Sequence, residues 1–286
     1  MCQLCEFGYR SLMKITLLGT GSPLPDPNRA GPSTLVQADN TNLLFDCGRG
    51  VLMRLAAAMV PVTTLDAVFL THLHSDHITD LNDIITTHWI MGAGPTTLTI
   101  YGPATTKSVV EATLAALAHD VKYRLDHHAD LTYRPNVEVV ECEPGERFTI
   151  GACTVIVGRT DHRPVEPTVG YRIEQGGKSA VIAGDTIPCE GLDELCDGAD
   201  AYVQTAIRAD FVRQIPNSRL QDILDYHSSV EQAADTAARA KVGALVLTHY
   251  VPPQPTPMLE QWRELVAPIY SGTVVLGDDL TVYEIP

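Results

Sequence analysis

The chain has 286 residues, 45% of them hydrophobic and 6% aromatic, enough for one large α/β domain with a mainly aliphatic core. No apolar run approaches the roughly 18 residues that a membrane-spanning helix needs. The formal net charge of −15 counts against a large polyanionic substrate, since binding one usually takes a basic face. Seven cysteines, an odd number without small-domain spacing, point to reduced thiols and a cytoplasmic setting.

Residues 1–12 hold a lone CxxC, Cys2 and Cys5, without the second pair a zinc ribbon would need. They have no continuous apolar stretch of the kind a secretory signal carries. They read as a tail or an extended start, and residues 13–286 as one domain. "KITLLGTG" is a strand running into a glycine turn; "GTGSP" lacks the lysine of a phosphate loop. "TLVQA" and "NLLFDCG" follow as strands, "RGVLMRLAAAM" as a helix and "AVFL" as a buried strand. An amphipathic helix then carries Ile78, Leu81, Ile84 and Ile85 on one face, before the strand "TLTIYGP" and the helix "ATTKSVVEATLAALAHD". The second half repeats the style. "RFTI", "CTVIVGRT", "TVGYRIE" and "SAVIAGD" are strands, "VEQAADTAARAKV" is an Ala-rich helix and "GALVLTHY" is a buried strand. A short helix near "MLEQWRELV" and the strands "TVVLG" and "LTVYEI" close the chain. Two similar halves of this kind suggest two sheets packed together with helices outside.

Between "AVFL" and the amphipathic helix stands "THLHSDH". His72 and His74 alternate around Leu73, so an extended backbone projects both to one side. Asp76 and His77 follow at once. Four such groups in one short loop are costly to bury unless something pairs them. A divalent ion resolves that cost, because imidazole nitrogen and carboxylate oxygen are zinc ligands. One loop cannot fill two coordination spheres, and His162, Asp185 and His249 each stand at a further strand end. His227 stands just before a helix. His88, His119, His127 and His128 show no such pattern, although Trp89 beside His88 could line a pocket.

This set resembles the metallo-β-lactamase superfamily. Its HxHxDH signature is met by His72, His74, Asp76 and His77, and its later motifs by His162, by Asp185 in "GDT" and by His249. Asp46 in "FDCGRG" matches an upstream aspartate. The resemblance implies a four-layer αββα sandwich, of α/β (α+β) class, with two metals in a cleft at the sheet edges. It further implies that His72, His74 and His162 hold one metal, that Asp76, His77 and His249 hold the other, and that Asp185 bridges them. Asp46 would orient ligands through hydrogen bonds. Two zinc ions are expected, with manganese or iron also compatible with these donors. A hydroxide shared by the two metals would attack, with Asp76, Asp185 and His227 as the catalytic side chains.

"HSS" at His227–Ser229 is similar to the His-Ser-Thr element of ribonuclease Z, the transfer-RNA 3′-processing enzyme, and to elements of arylsulfatase-like relatives. The resemblance implies that His227 donates a proton or steadies the oxyanion; otherwise a serine there caps the following helix. Ribonuclease Z carries a long arm between its third and fourth motifs, whereas here only 23 positions separate His162 from Asp185. That departure disfavours transfer RNA and points to a small anionic ester, a phosphodiester or an aryl sulfate. Arg29, Arg163 and Arg208 could bind the anion, but the preferred reading of each is a surface residue. A lactonase, thioesterase or β-lactamase-type carbonyl hydrolase is the alternative within the class, and a non-catalytic metal-binding protein the alternative outside it. A homodimer is possible by analogy with relatives, and no membrane association is expected.

Overall fold

The computed structural model describes residues 13–286; the expectations for residues 1–12, the Cys2–Cys5 pair included, lie outside the described residues. Six strands lie side by side in chain order: β1 (Met13–Gly19), β2 (Ser33–Ala38), β3 (Thr41–Phe45), β4 (Ala67–Phe69), β5 (Thr97–Gly102) and β6 (Asn136–Glu141). A second sheet is built the same way from β7 (Arg147–Ile150), β8 (Cys153–Arg159), β9 (Val169–Gln175), β10 (Lys178–Ile182), β11 (Ala201–Ile207), β12 (Ala244–Val251) and β13 (Thr273–Val275). The last strand, β14 (Thr281–Ile285), returns to pair antiparallel with β1, so each sheet has seven strands.

Each sheet begins with antiparallel hairpins and continues with parallel strands. The parallel runs are β3 to β6 in one sheet and β10 to β13 in the other. Parallel neighbours need crossovers, and helices supply them on the outer faces. Between the sheets, Ile15, Phe45 and Phe69 meet Val157, Tyr171 and Val246. Phe45 stacks on Phe69 at 4.9 Å, and Tyr171 meets Phe69 edge-on at 5.0 Å. The Tyr171 hydroxyl then donates to the Leu70 carbonyl at 2.7 Å, which ties the core to the start of the histidine loop.

The outer layers form separate apolar clusters. Helix Leu81–Met91 places Leu81, Ile84 and Ile85 against Leu44, Val68 and Ile100 of the first sheet. Helix Val230–Arg239 sets Ala233, Ala234 and Ala237 on Val181, Tyr202 and Leu245 of the second. The small alanines let its backbone lie close to the sheet. The architecture is therefore the four-layer αββα sandwich. Strands β6 and β11 add to the elements read from sequence, and "ATTKSVVEATLAALAHD" forms two helices, Thr106–Ala116 and Ala118–His127, rather than one. Among the described residues no helix is long and apolar enough to cross a membrane.

Candidate metal centre

Parallel strands deliver their carboxyl ends to one edge, where ligands of open α/β sheets gather. Asp46 follows β3, the 71–77 loop follows β4, and Asp185 follows β10. His162 stands in the turn between β8 and β9, where it bridges to Val165. In β12 the register with β11 shifts between the Thr205–Thr248 and Ile207–Val251 pairs, which leaves an extra residue on β12 at His249–Tyr250. A bulge of this kind re-aims a side chain. His249 accordingly has φ 59°, and Asp46, just past β3, has φ 60°, both left-handed. Such backbone costs about 1–3 kcal/mol per residue, and the surrounding structure has to impose it. Gly184, at φ 67°, needs its lack of side chain twice over, since a Cβ there would come within 2.6 Å of Thr71 Cβ.

The convergence is tight. Asp185 Oδ2 lies 3.2 Å from His227 Nε2, 3.4 Å from His77 Nε2, 3.6 Å from His249 Nε2, 3.7 Å from His72 Nε2 and 3.9 Å from His162 Nε2. His74 Nδ1 lies 3.1 Å from His72 Nε2 and 3.3 Å from His162 Nε2. Asp76 Oδ2 lies 3.2 Å from His249 Nε2 and 3.6 Å from His77 Nε2. Three ligand-capable groups result: His72, His74, His162 and Asp185; Asp76, His77 and His249; and Asp185, His227 and His249. Ligands about 2.0–2.1 Å from a tetrahedral ion stand about 3.3–3.4 Å apart, within the 3.1–3.9 Å range of the distances above. Among the described residues, His77 Nε2 and Asp185 Oδ1 are buried without a hydrogen-bond partner. Orphans of that kind in a buried polar cluster are what a bound cation satisfies. The donor set fits divalent metal.

A ring of hydrogen bonds sets the imidazoles. Asp46 Oδ2 lies 2.8 Å from His77 Nδ1, and Asp46 Oδ1 accepts from the Thr71 amide at 2.8 Å. The Thr71 hydroxyl contacts both carboxylate oxygens of Asp46 and lies 3.0 Å from His72 Nδ1. His162 Nδ1 lies 2.7 Å from the Tyr226 carbonyl. In each of these rings the Nδ1 proton is held outward, so the tautomer assigned by the bonds leaves the Nε2 lone pair facing the cluster. Burial pushes the imidazoles of His72, His74 and His162 below their usual range, His162 to about 4. Burial also opposes protonation of His77, but Asp185 and Asp46 outweigh it and hold that ring well above the usual range. At Asp185 burial favours the neutral acid, and His249, His77 and His227 reverse this to hold the carboxyl well below its usual range.

His227 is buried, with Nδ1 3.2 Å from the Ile223 carbonyl and Nε2 on Asp185. Two residues on, Ser229 caps helix Val230–Arg239 through a capping box with Gln232. The cap and the histidine thus occupy one turn and do not compete. Beside the cluster lies a cavity of about 320 Å³ whose apolar wall comes from Leu24, Leu220, Ile223, Tyr226 and Val251, with Arg219 also lining it. A larger cleft of about 760 Å³ lies behind the His162 turn, but none of the clustered ligands lines it. The chemistry belongs to the smaller one.

The arginines singled out from sequence are all committed elsewhere. Arg29 is buried, pairs with Asp278 at 2.7 Å and lies over the Tyr250 ring. Arg208 is also buried, pairs with Asp210 at 2.7 Å and lies over Phe211. Neither is the surface residue that the preferred reading made it. Arg163 is exposed and paired with Asp161. His88 and Trp89 sit buried in helix Leu81–Met91, where the Trp89 indole donates to the Tyr133 carbonyl, and neither lines the cavity. His119, His127 and His128 are exposed. Thr71, Tyr226 and Arg219 were not singled out from sequence. Thr71 had a signal, its place at the head of the "THLHSDH" loop; the other two had none.

Residues 41–250 match the β-lactamase superfamily domain. Proteins named ribonuclease Z are close in sequence. That of Mycobacterium bovis is 55% identical over 96% of this chain and 99% of its own, and that of Mycolicibacterium paratuberculosis is 56% identical over 94% and 97%. Two solved structures share the fold. The metallo-β-lactamase fold protein YhfI from Bacillus subtilis has a TM-score of 0.75 at 24% identity, covering 96% of this chain and all of its own. The short form of human tRNase Z has a TM-score of 0.70 at 23% identity, covering 96% and 99%. These matches overturn the expectation that disfavoured transfer RNA and preferred a small anionic ester. The two strands β9 and β10 fill most of the interval between His162 and Asp185, yet relatives named ribonuclease Z align with this chain nearly end to end. A missing insert there does not set it apart from them, and net charge, a sum over the whole surface, says nothing of a local binding face.

Proposed function

The chain belongs to the β-lactamase superfamily and within it to the ribonuclease Z family, metal-dependent hydrolases, and from that premise we propose that it cleaves phosphodiester bonds in RNA, with precursor transfer RNA as the substrate class. One observation carries the reading: five imidazole nitrogens stand within 4 Å of a single buried carboxylate oxygen, Asp185 Oδ2. In this proposal His72, His74 and His162 hold one divalent ion, Asp76, His77 and His249 hold the second, and Asp185 is shared. Zinc suits these nitrogen and oxygen donors, and manganese or iron is compatible with them. Bound there, two such ions would polarise the phosphoryl group and lower the pKa of water to about 7.

The remaining steps fall to this chain's own side chains. Asp46, Thr71 and the Tyr226 carbonyl hold the ligand imidazoles in one tautomer, so no reorganisation is needed at the moment of reaction. His227 is anchored through Nδ1 to the Ile223 carbonyl and presents Nε2 beside Asp185. We assign it the proton that the leaving oxygen takes up. Its anchor keeps the ring in place before and after transfer. The apolar wall of the cavity limits water around the reacting phosphate. A cytoplasmic setting accords with an RNA substrate.

The test is a substrate panel with zinc-loaded protein: precursor transfer RNA with a 3′ trailer, bis(p-nitrophenyl) phosphate, p-nitrophenyl sulfate and a lactone. Cleavage of the first two is expected. Turnover of sulfate or lactone with neither phosphodiester cut would overturn the proposal.

A further inference from the structure

We propose that residues 219–226 form the seat for one unstacked nucleotide beside the bond to be cut, with Tyr226 and Ile223 taking the base and Arg219 meeting the neighbouring phosphate. The inference rests on the phosphodiesterase reading and adds how the substrate is gripped. The cavity places an apolar wall directly against His74, Asp76, Asp185 and His227. Such a wall can do more than limit water: a flat apolar group attached to the reacting phosphate would fill it. Nucleobases have such faces, and stacking on an aromatic ring tolerates any base.

Arg219 supplies the second half of the argument. Its guanidinium is exposed and makes no ion pair or hydrogen bond among the described residues, and what sets it apart from other such arginines is its place on the cavity beside the cluster. An unpaired cation beside a centre that already takes the scissile phosphate calls for another anion on the same substrate. A nucleic acid strand has one a nucleotide away; a simple aryl ester has none. The backbone of Arg219 is fixed, since its amide donates to Asn217 Oδ1 at 3.1 Å where Asn217 caps the turn Ser218–Gln221. Tyr226 is fixed too. Its carbonyl accepts from His162, and its ring lies 5.2 Å from the His162 ring and 4.8 Å from that of His227.

Size sets the limit. At about 320 Å³ the cavity lies at the small end of ligand pockets, which run to about 1,000 Å³. It admits one nucleoside-sized group and not a stacked run. A base inside a duplex would have to leave its stack to enter, so the seat selects single-stranded nucleic acid at the cleavage point, with little preference among bases.

The experiment compares wild type with Tyr226→Ala, Tyr226→Phe, Arg219→Ala and Arg219→Lys. Each is assayed on bis(p-nitrophenyl) phosphate, on a single-stranded oligoribonucleotide and on the same strand in a duplex. Tyr226→Ala should raise the KM for the single strand about five- to a hundredfold over wild type, and Tyr226→Phe should restore it. Arg219→Ala should flatten the slope of log KM against log salt for the single strand by about 0.7, and Arg219→Lys should recover most of it. Anisotropy of a labelled single strand with chelated protein, where nothing is cut, should show the same order of affinities. An unchanged single-strand KM in Tyr226→Ala together with an unchanged salt slope in Arg219→Ala, or equal use of strand and duplex by the wild type, overturns the seat. If wild type cuts no phosphodiester at all, it is the phosphodiesterase reading that fails. Should Tyr226→Ala not fold, the Arg219 pair and the strand-to-duplex comparison decide.

Discussion

Asp46→Asn is the sharpest probe of the centre, because it changes one atom without changing shape. Asp46 is buried and accepts from the Thr71 amide, the Thr71 hydroxyl and His77 Nδ1. An asparagine must put its NH₂ on one side. It cannot face the Thr71 amide, which is always a donor, so it faces His77 Nδ1 at the 2.8 Å now spanned by the acceptor bond. Two donors then oppose each other. His77 can relieve the clash only by moving its proton to Nε2, the nitrogen that points at Asp185 and Asp76. A proton there blocks the lone pair a metal would use. Losing a hydrogen bond to a charged acceptor costs about 1.5–3 kcal/mol. Loss of the residue that orients a ligand imidazole weakens metal binding about 10–100-fold, or about 1.4–2.8 kcal/mol, so two separate routes give one magnitude. Chelator competition on the purified variant reads the affinity, and circular dichroism checks that the fold survives. A variant with wild-type metal affinity and wild-type kcat/KM would refute the tautomer argument.

Other expectations follow from the same geometry. Gly184→Ala forces a Cβ toward Thr71 in left-handed backbone, so it should lower stability by about 1–3 kcal/mol, read as a fall in Tm, and weaken metal binding with it; an unchanged Tm would refute that contact. His227→Ala should lower kcat about 10²–10⁴-fold with metal content intact. Metal loss measured by elemental analysis would instead make His227 a ligand with Asp185 and His249. Chelation should abolish turnover and lower Tm, by about 2.7 kcal/mol of stability for a metal present at a hundred times its Kd. Acidification should release the metals as well, since histidine must be neutral to ligate; activity that survives exhaustive chelation would count against the centre.

Much of the centre was legible in the sequence because its residues stand at strand ends, where periodicity stops abruptly and polar groups crowd. His72, His74, Asp76 and His77 were visible as a cluster for that reason. Strand β11 escaped notice because Gln204 and Thr205 break its apolar run, although both are buried and bonded to the Gly184 carbonyl or to each other. Strand β6 escaped because its flanks are polar, as suits an edge. Arg163 is the surface residue its sequence suggests, whereas Arg29 and Arg208 are buried, since only the folded chain brings Asp278 and Asp210 against them.

By itself, the order of apolar and polar residues determined the two-sheet sandwich and the set of imidazoles and carboxylates available to a metal, because hydrophobic periodicity and strand-end chemistry are local. Tertiary structure alone decided which nitrogen each ring presents, which arginine lines the cavity and which wall faces the centre. Those depend on distant groups meeting within a few ångströms, as Arg29 meets Asp278 from 249 positions away, and no local pattern encodes such a meeting.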